Sequence, residues 1–345
     1  MKNKTLFKIS PLFALVLTAC GKSYAAKDYI IELEWKNEDF RILQLNDIHI
    51  GIKDDLDLQF KYLETVINDN RVNADLIVLN GDLFTFANRS TARSLFSFMD
   101  EQKINWTVTF GNHDEQAYFS IDWMTGYLND LNDKRASGES YCVFKDLQDD
   151  DIMGNGNFVI NLRLEGKVKE QIYLMDSNRY NFGEHTGYDY IHEDQVKWYE
   201  DMVNYTTSEN GGVVPSIAFF HIPVPEFETV YDLAKENSTE VKVRIAQTAY
   251  SDYEGVAAPK VNTGLFDKMV QLGSTNAIFC AHDHKNNYAI EYKGILLSYG
   301  VNSSDRVYWD SDLCGGQVNV IKKNGNIDIF QILEHTYEDV LKEGK

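Results

Sequence analysis

The chain has 345 residues, 43% of them hydrophobic and 25% charged, enough apolar material for one large domain or two small ones. Its formal net charge of -20 works against nucleic acid or an anionic lipid surface as a partner held by bulk electrostatics, because both are polyanions. A phosphate-bearing substrate would therefore need a local positive centre such as a metal ion.

The amino terminus reads as an export signal. Lys2, Lys4 and Lys8 precede an apolar run from Pro11 to Leu17 that is too short to span a bilayer. Leu17-Thr18-Ala19-Cys20 then resembles the lipobox of bacterial lipoproteins, with Cys20 as the lipidated residue; ordinary cleavage near Ala25 or Ala26 is the alternative. The expected layout is a signal peptide over 1–19, a tether over 20–36, one domain over 37–338 and a tail over 339–345. On that layout the protein is exported and lipid-anchored on the outer face of the bacterial cell membrane, touching the membrane through the lipid alone. Cys142, Cys280 and Cys314 remain, an odd number that implies no complete disulfide framework.

Phe40 to Leu45 reads as the first core strand and ends in Asn46-Asp47-Ile48-His49. Leu56, Phe60, Leu63 and Ile67 recur at helical spacing. Asp75 to Leu79 is a continuous apolar run of the kind found in a sheet covered on both faces, and it ends in Asn80-Gly81-Asp82. A second helix is expected from a Ser90 cap through Met99. A third strand, Trp106 to Thr109, ends in Phe110-Gly111-Asn112-His113-Asp114-Glu115. This alternation argues for a parallel α/β core with right-handed crossovers.

Beyond residue 116 the pattern loosens. Helix is expected around Trp123 and Leu131, breaking at Ala136-Ser137-Gly138, and Gln148 to Asp151 reads as a solvated loop. Phe158, Ile160, Leu162 and Leu164 alternate, turn at Glu165-Gly166 and resume at Ile172, which predicts a hairpin with one buried face. Asp176-Ser177-Asn178-Arg179 ends it, and a helix is expected over 194–206. Another apolar run, Pro215 to Phe220, ends in His221-Ile222-Pro223. Residues 225–262 read as an irregular polar rim. A helix through Leu265, Met269 and Leu272 leads to Ala277-Ile278-Phe279-Cys280, which ends in Ala281-His282-Asp283-His284. Closing strands near 295–300 and a hairpin from Val318 to Ile332, turning at Asn324-Gly325, complete the sheet.

Five apolar strands thus end in metal-ligand residue types, and in open α/β sheets ligands bind at the carboxyl ends of strands. Taken singly, a strand-end Asp reads as a cap or turn and a lone His as structural. Five together are hard to explain as turns, and five of the eight histidines sit at these ends.

The ordered set Asp-x-His, Gly-Asp, Gly-Asn-His-Asp-Glu, His and Ala-His-x-His resembles the signature of calcineurin-like metallophosphoesterases, over nearly the whole mature length. Its local wording is similar to the purple-acid-phosphatase-related branch. Two positions depart. Ala281 stands where a glycine is usual, and Thr85 stands where true purple acid phosphatases carry a tyrosine ligand. The resemblance implies a four-layer α/β/β/α sandwich with mixed sheets. It also implies two divalent or transition metal ions (Mn, Fe, Zn or Co). Asp47, His49, Asp82 and His284 would hold one; Asp82, Asn112, His221 and His282 would hold the other, with Asp82 bridging. A bridging hydroxide would attack phosphorus in line. His113 would meet the phosphoryl group or protonate the leaving group, and Asp114 would orient its ring; Glu115 is left without a role. Asp176, Arg179, His185, His192 and Tyr253 are candidates for a substrate rim, Arg179 first among them because a guanidinium suits phosphate. The expected activity is phosphomonoester hydrolysis, with phosphodiester hydrolysis and a catalytically silent surface binding protein as alternatives.

Overall fold

Two mixed sheets lie face to face in a computed structural model that describes residues 24–148, 150–183, 186–248 and 255–333. The first strand is β1 (Ile30–Glu34). From there strand and helix alternate as the periodicity predicts: β2 (Asp39–Leu45), α1 (Leu56–Ile67), β3 (Leu76–Asn80), α2 (Arg89–Glu101), β4 (Asn105–Thr109) and α3 (Ile121–Asp133). Strands β2, β3 and β4 pair in parallel, Ile42 opposite Leu76 and Leu76 opposite Asn105. The cap of α2 is Asn88 rather than Ser90: its side-chain oxygen accepts from the Ser90 and Thr91 N–H groups at 2.9 and 3.0 Å. On α1 the buried face runs through Gln59, Tyr62, Leu63, Val66 and Ile67, so Leu56 and Phe60 fall on its margin.

The second half contributes β5 (Phe158–Leu164), β6 (Lys167–Leu174), the short pair β7 (Tyr180–Asn181) and β8 (Gly187–Tyr188), and α4 (Glu193–Asn210). Then come β9 (Ser216–Phe219), α5 (Glu226–Lys235), β10 (Val241–Ile245), α6 (Leu265–Leu272), β11 (Thr275–Cys280), β12 (Ala289–Tyr292) and β13 (Ile295–Tyr299). The closing hairpin, β14 (Gly316–Lys322) and β15 (Ile327–Ile332), joins the first sheet antiparallel to β2, giving the order β15-β14-β2-β3-β4. The second sheet has the order β1-β5-β6-β9-β11-β13-β12-β10.

Three expectations are corrected. The β5–β6 hairpin is buried on both faces: Ile160 and Leu162 face the other sheet, whereas Val159 and Tyr173 pack under helices. Its alternation reflects two different cores, with buried polar Asn161 and Gln171 bonded at 2.9 Å. Residues 225–262 are not merely a rim, because they hold α5, which buries Phe227 and Val230, and the edge strand β10. A strand exposed along its length, as β10 is, lacks the alternation that marks a half-buried one. The supposed tether also shrinks. β1 pairs in parallel with β5, and Ile31, Leu33 and Trp35 are buried. The tail over 339–345 lies outside the described residues.

Helices α1, α2 and α3 cover the outer face of the five-stranded sheet, sharing one core with the space between the sheets. Helices α4, α5 and α6 cover the outer face of the other sheet in a second core. The result is the expected four-layer α/β/β/α sandwich with mixed sheets. Its central layer is not wholly apolar. Gln44, Gln317 and Asn319 are fully buried between the sheets and bonded to one another. Gln44 also donates to the Cys280 carbonyl at 3.1 Å, tying the end of β11 to β2. This bond crosses between the strand ends that carry the candidate ligands.

Candidate metal centre

The backbone around these strand ends is unusual. Asp47, His49, Asp82 and His282 adopt left-handed conformations, with φ of 54°, 50°, 51° and 78°. Among the described residues twelve non-glycine positions have positive φ, so a third of them fall on candidate ligands. Such conformations cost free energy unless their surroundings impose them, and they cluster at functional sites. Here the loops after β2 and β3 continue each other's ladder: the His49 N–H donates to the Asp82 carbonyl at 2.9 Å, and the Ile50 N–H to the Leu83 carbonyl at 2.9 Å. Gly81 and Gly111 allow the close approach. A Cβ on Gly81 would overlap the His221 ring, and one on Gly111 would overlap Asp82.

The strand ends bring six ligand-type side chains together. One ligand atom each from Asp47, His49, Asp82 and His284 lies within 4.8 Å of the others, and the same holds for Asp82, His221 and His282. Asp82 belongs to both groups. Its Oδ2 stands 3.6 Å from His49 Nε2 and 3.2 Å from His221 Nε2, and its Oδ1 accepts the His113 N–H at 2.7 Å. His284 Nε2 is 3.4 Å from Asp47 Oδ1. Three imidazoles spend Nδ1 on the protein. His49 Nδ1 meets Thr85 Oγ1 at 2.7 Å, His221 Nδ1 the Asn80 carbonyl at 2.9 Å, and His284 Nδ1 the Tyr308 carbonyl at 2.6 Å. A carbonyl partner fixes the proton on Nδ1 and leaves the Nε2 lone pair aimed inward, the arrangement of metal-ligating histidines.

Asp47 Oδ1 and His282 Nε2 in the cluster are buried without a hydrogen bond, as is Asn112 Oδ1 on the loop after β4, and His221 Nε2 has only the Asp82 carboxylate beside it. Buried polar atoms are nearly always paired, so these unsatisfied atoms fit a cation. Asn112 joins through its amide oxygen, because its Nδ2 is taken by the Tyr180 hydroxyl at 2.8 Å.

The matching family model, calcineurin-like phosphoesterase, spans residues 40–286. This chain belongs to that family. It is 29% identical over 297 residues to "Probable inactive purple acid phosphatase 29" of Arabidopsis thaliana, covering 76% of this chain and 72% of the plant protein. It is 28% identical over 292 residues to "Phosphatase DCR2" of Saccharomyces cerevisiae, covering 76% of this chain and 47% of the yeast protein. Its fold is similar to that of a crystallised dimetal phosphatase from Danio rerio, at a TM-score of 0.51 and 12% identity, covering 87% of this chain and all of that one.

Within this calcineurin-like domain, crowding sets the charge states. Burial pulls His49 down to about 4 and His282 to about 3, keeping both rings neutral. Burial also opposes a charge on His221, but the adjacent Asp82 outweighs it and holds His221 up at about 10, so its Nε2 carries a proton that a bound cation would displace. Burial raises Asp82 as well, and His221 outweighs that in turn, so its carboxylate lies well below the usual range. The oxygen and nitrogen donor set, without thiolate, suits Mn, Fe, Zn or Co. Among the described residues the cysteines, Cys142, Cys280 and Cys314, are free and buried.

Several predicted roles change. Asp114 does not orient the His113 ring. Its Oδ1 accepts from the Leu83 and Phe84 N–H groups at 2.8 and 3.0 Å, and its Oδ2 from Gly111 N–H at 2.8 Å. It clamps the loop after β4 to the loop after β3, while His113 Nδ1 has no hydrogen-bond partner. Burial, with Asp82 adding, pushes the Asp114 carboxyl up to about 7. Arg179 is not a free phosphate receptor, because it is ion-paired with Glu115, which gains a role thereby. Both carboxylate oxygens of Asp176 are spent on the Asn155 and Asn178 N–H groups at 2.8 Å, so it organises loops rather than a rim. His192 caps α4 and pairs with Asp189 at 3.1 Å. His185, Tyr253 and Cys20 lie outside the described residues.

Two aromatic residues were missed from sequence. Besides Tyr180 on Asn112, Tyr188 stands edge-on to His282 with ring centroids 4.4 Å apart. Tyrosines are common in this chain, and nothing local marks these two; the short β7–β8 pairing alone carries them over the site. Thr85, conspicuous in sequence only for not being tyrosine, is the partner that holds the His49 ring.

Proposed function

We propose that this chain is a two-metal phosphoester hydrolase acting chiefly on phosphomonoesters. The observation that carries the reading is the convergence of six ligand-type side chains from four strand ends in two groups that share Asp82, with Asp47 Oδ1, His282 Nε2 and, on the loop after β4, Asn112 Oδ1 buried without a hydrogen bond. Asp47, His49, Asp82 and His284 would hold one cation, and Asp82, Asn112, His221 and His282 the other. Two such cations would acidify a water molecule and draw charge from the phosphoryl oxygens. With about +4 set against two carboxylates, the site would keep about +2, the positive centre that the acidic chain otherwise lacks.

The chain's own residues set the geometry. Asp82 is fixed by the His113 N–H and presents its free oxygen to both groups. The His113 ring lies edge-on to His49 at 5.1 Å, close enough to the centre to give a proton to a departing alkoxide. The plant relative's name calls that protein inactive. Here every ligand position is filled in the sequence and six of the seven side chains converge, which favours activity.

The test is hydrolysis of an aryl phosphomonoester against an aryl phosphodiester, after chelation and after adding back Mn or Zn. Metal-dependent turnover with the monoester preferred supports the reading. A diester preference makes it a phosphodiesterase, and no metal-dependent turnover on either leaves a silent binding protein.

We also propose that the protein is exported and tethered by a lipid on Cys20, from the lipobox-like Leu17-Thr18-Ala19-Cys20. Among the described residues no helix is long and apolar enough to cross a membrane. A Cys20→Ala protein should leave the membrane fraction; retention there would refute the tether.

A further inference from the structure

A cavity of about 340 Å³ opens beside the candidate metal centre, in the size range of small-molecule sites, about 300–1,000 Å³. His49 and Thr85, the pair at the edge of the first metal group, are also part of its wall. The rest comes from Gly51 to Asp54, Phe86, Tyr118, Arg306 and Val307. Four separate segments thus meet at the metal centre's flank.

Besides Lys53, the exposed part of the wall is apolar. Ile52, Phe86, Tyr118 and Val307 are 47%, 55%, 65% and 60% exposed. Single exposed hydrophobes need no explanation, but a contiguous group marks a binding surface. Two of the four are also held in a costly conformation. Phe86 has a φ of 53° and Val307 a φ of 63°, and for a β-branched residue the left-handed region is a genuine outlier. Neither gains burial in return. Strained backbone of this kind clusters at functional sites. The Phe86 and Tyr118 rings lie 6.3 Å apart and inclined by 34°, forming one aromatic wall. Arg306 is ion-paired with Asp54 at 3.4 Å and Asp305 at 3.2 Å, which offsets its charge, and Lys53 is the other cation of the wall.

We propose that this cleft is the leaving-group subsite. It takes the alcohol portion of the phosphoester and selects an apolar, ring-bearing alcohol over a small or polyhydroxylated one. The inference rests on the hydrolase reading above and adds its substrate class. Hydrolysis at the neighbouring centre breaks the P–O bond, transfers the phosphoryl group to water and returns the proton to the alcohol, which then leaves through the cleft.

The test compares n-propyl phosphate with 3-phenylpropyl phosphate, whose alcohols have matched acidity, on the metal-loaded full chain. The phenylpropyl ester should have a kcat/KM at least about ten-fold higher, the scale expected from burying one ring. In Phe86→Ser/Tyr118→Ser the ratio should fall below about three, with Tyr118→Ser alone intermediate. Phe182→Ser, at an aromatic residue 85% exposed on the β7–β8 side, should keep the wild-type ratio. Calorimetric binding of 3-phenylpropylphosphonate against n-propylphosphonate gives a readout independent of turnover and should show the same preference. Equal affinities for the two phosphonates, or a ratio that persists in the folded double variant, would overturn the cleft. So would a ratio lost in Phe182→Ser, which would move the subsite to the hairpin. If neither ester is hydrolysed yet the phosphonate preference holds, the hydrolase reading fails and the cleft stands.

Discussion

His113 and Tyr180 divide the work that the residues around the metal centre share with its ligands. His113 is fixed through its N–H to Asp82, and its Nδ1 is left unpartnered beside His49. It should therefore affect chemistry more than binding of metal. His113→Ala is expected to lower kcat by about 10²–10⁴-fold while elemental analysis finds the same metal content. Loss of metal would instead make it a ligand. Tyr180 acts one bond further out, accepting from the Asn112 amide and turning its oxygen inward. Tyr180→Phe removes that acceptor and should weaken the second cation by about 10–100-fold in a chelator competition, leaving the first at wild-type affinity. Wild-type affinity at both sites would show that Asn112 needs no such support.

At the scale of elements, β6 carries a carboxyl where a sheet rarely tolerates one. Glu170 is 2% exposed, its Oε1 has no hydrogen-bond partner, and burial pushes it up to about 8 from an ordinary value near 4.5. Between those two pH values the unfolded chain has lost the proton that the folded chain keeps. The folded state then binds more protons, so stability falls as pH rises through this window, by on the order of 4 kcal/mol at its upper end. Glu170→Gln should accordingly raise the melting midpoint by several degrees at pH 8 and change it little at pH 5. A similar rise at both would place the effect in packing rather than ionisation. The β5–β6 hairpin departs from a half-buried one because its polar positions Asn161, on β5, and Gln171, on β6, are satisfied inside the protein rather than by water.

Over the whole molecule, the boundary of the domain falls earlier than composition suggests. β1 closes one edge of the eight-stranded sheet and buries Ile31, Leu33 and Trp35, each contributing about 1.5–3 kcal/mol relative to exposure. Trp35 packs edge-on to Phe40 with centroids 6.2 Å apart. A chain beginning at residue 37 should melt at least about 10 °C lower or aggregate through the uncovered β5 edge. One beginning at residue 24 should melt as the longer protein does. Equal midpoints would return residues 30–36 to the tether.

What the sequence determined by itself was the alternation of buried strands and helices and the residue types at five strand ends. Both are local: an apolar run or a 3.6-residue period needs no knowledge of what packs against it. The ordered spacing of Asp47, His49, Asp82, Asn112, His221, His282 and His284 then carried the family. What only the tertiary structure decided depends on contacts between distant segments. The partner of Asp114 turned out to be the loop after β3, that of Arg179 a glutamate left without a role, and that of Asn112 a tyrosine 68 positions away. A hydrogen bond across such a separation leaves no period in the chain. The apolar cleft is of the same kind, since Ile52, Phe86, Tyr118 and Val307 come from four loops that only the packing of two sheets brings to one edge of the metal centre.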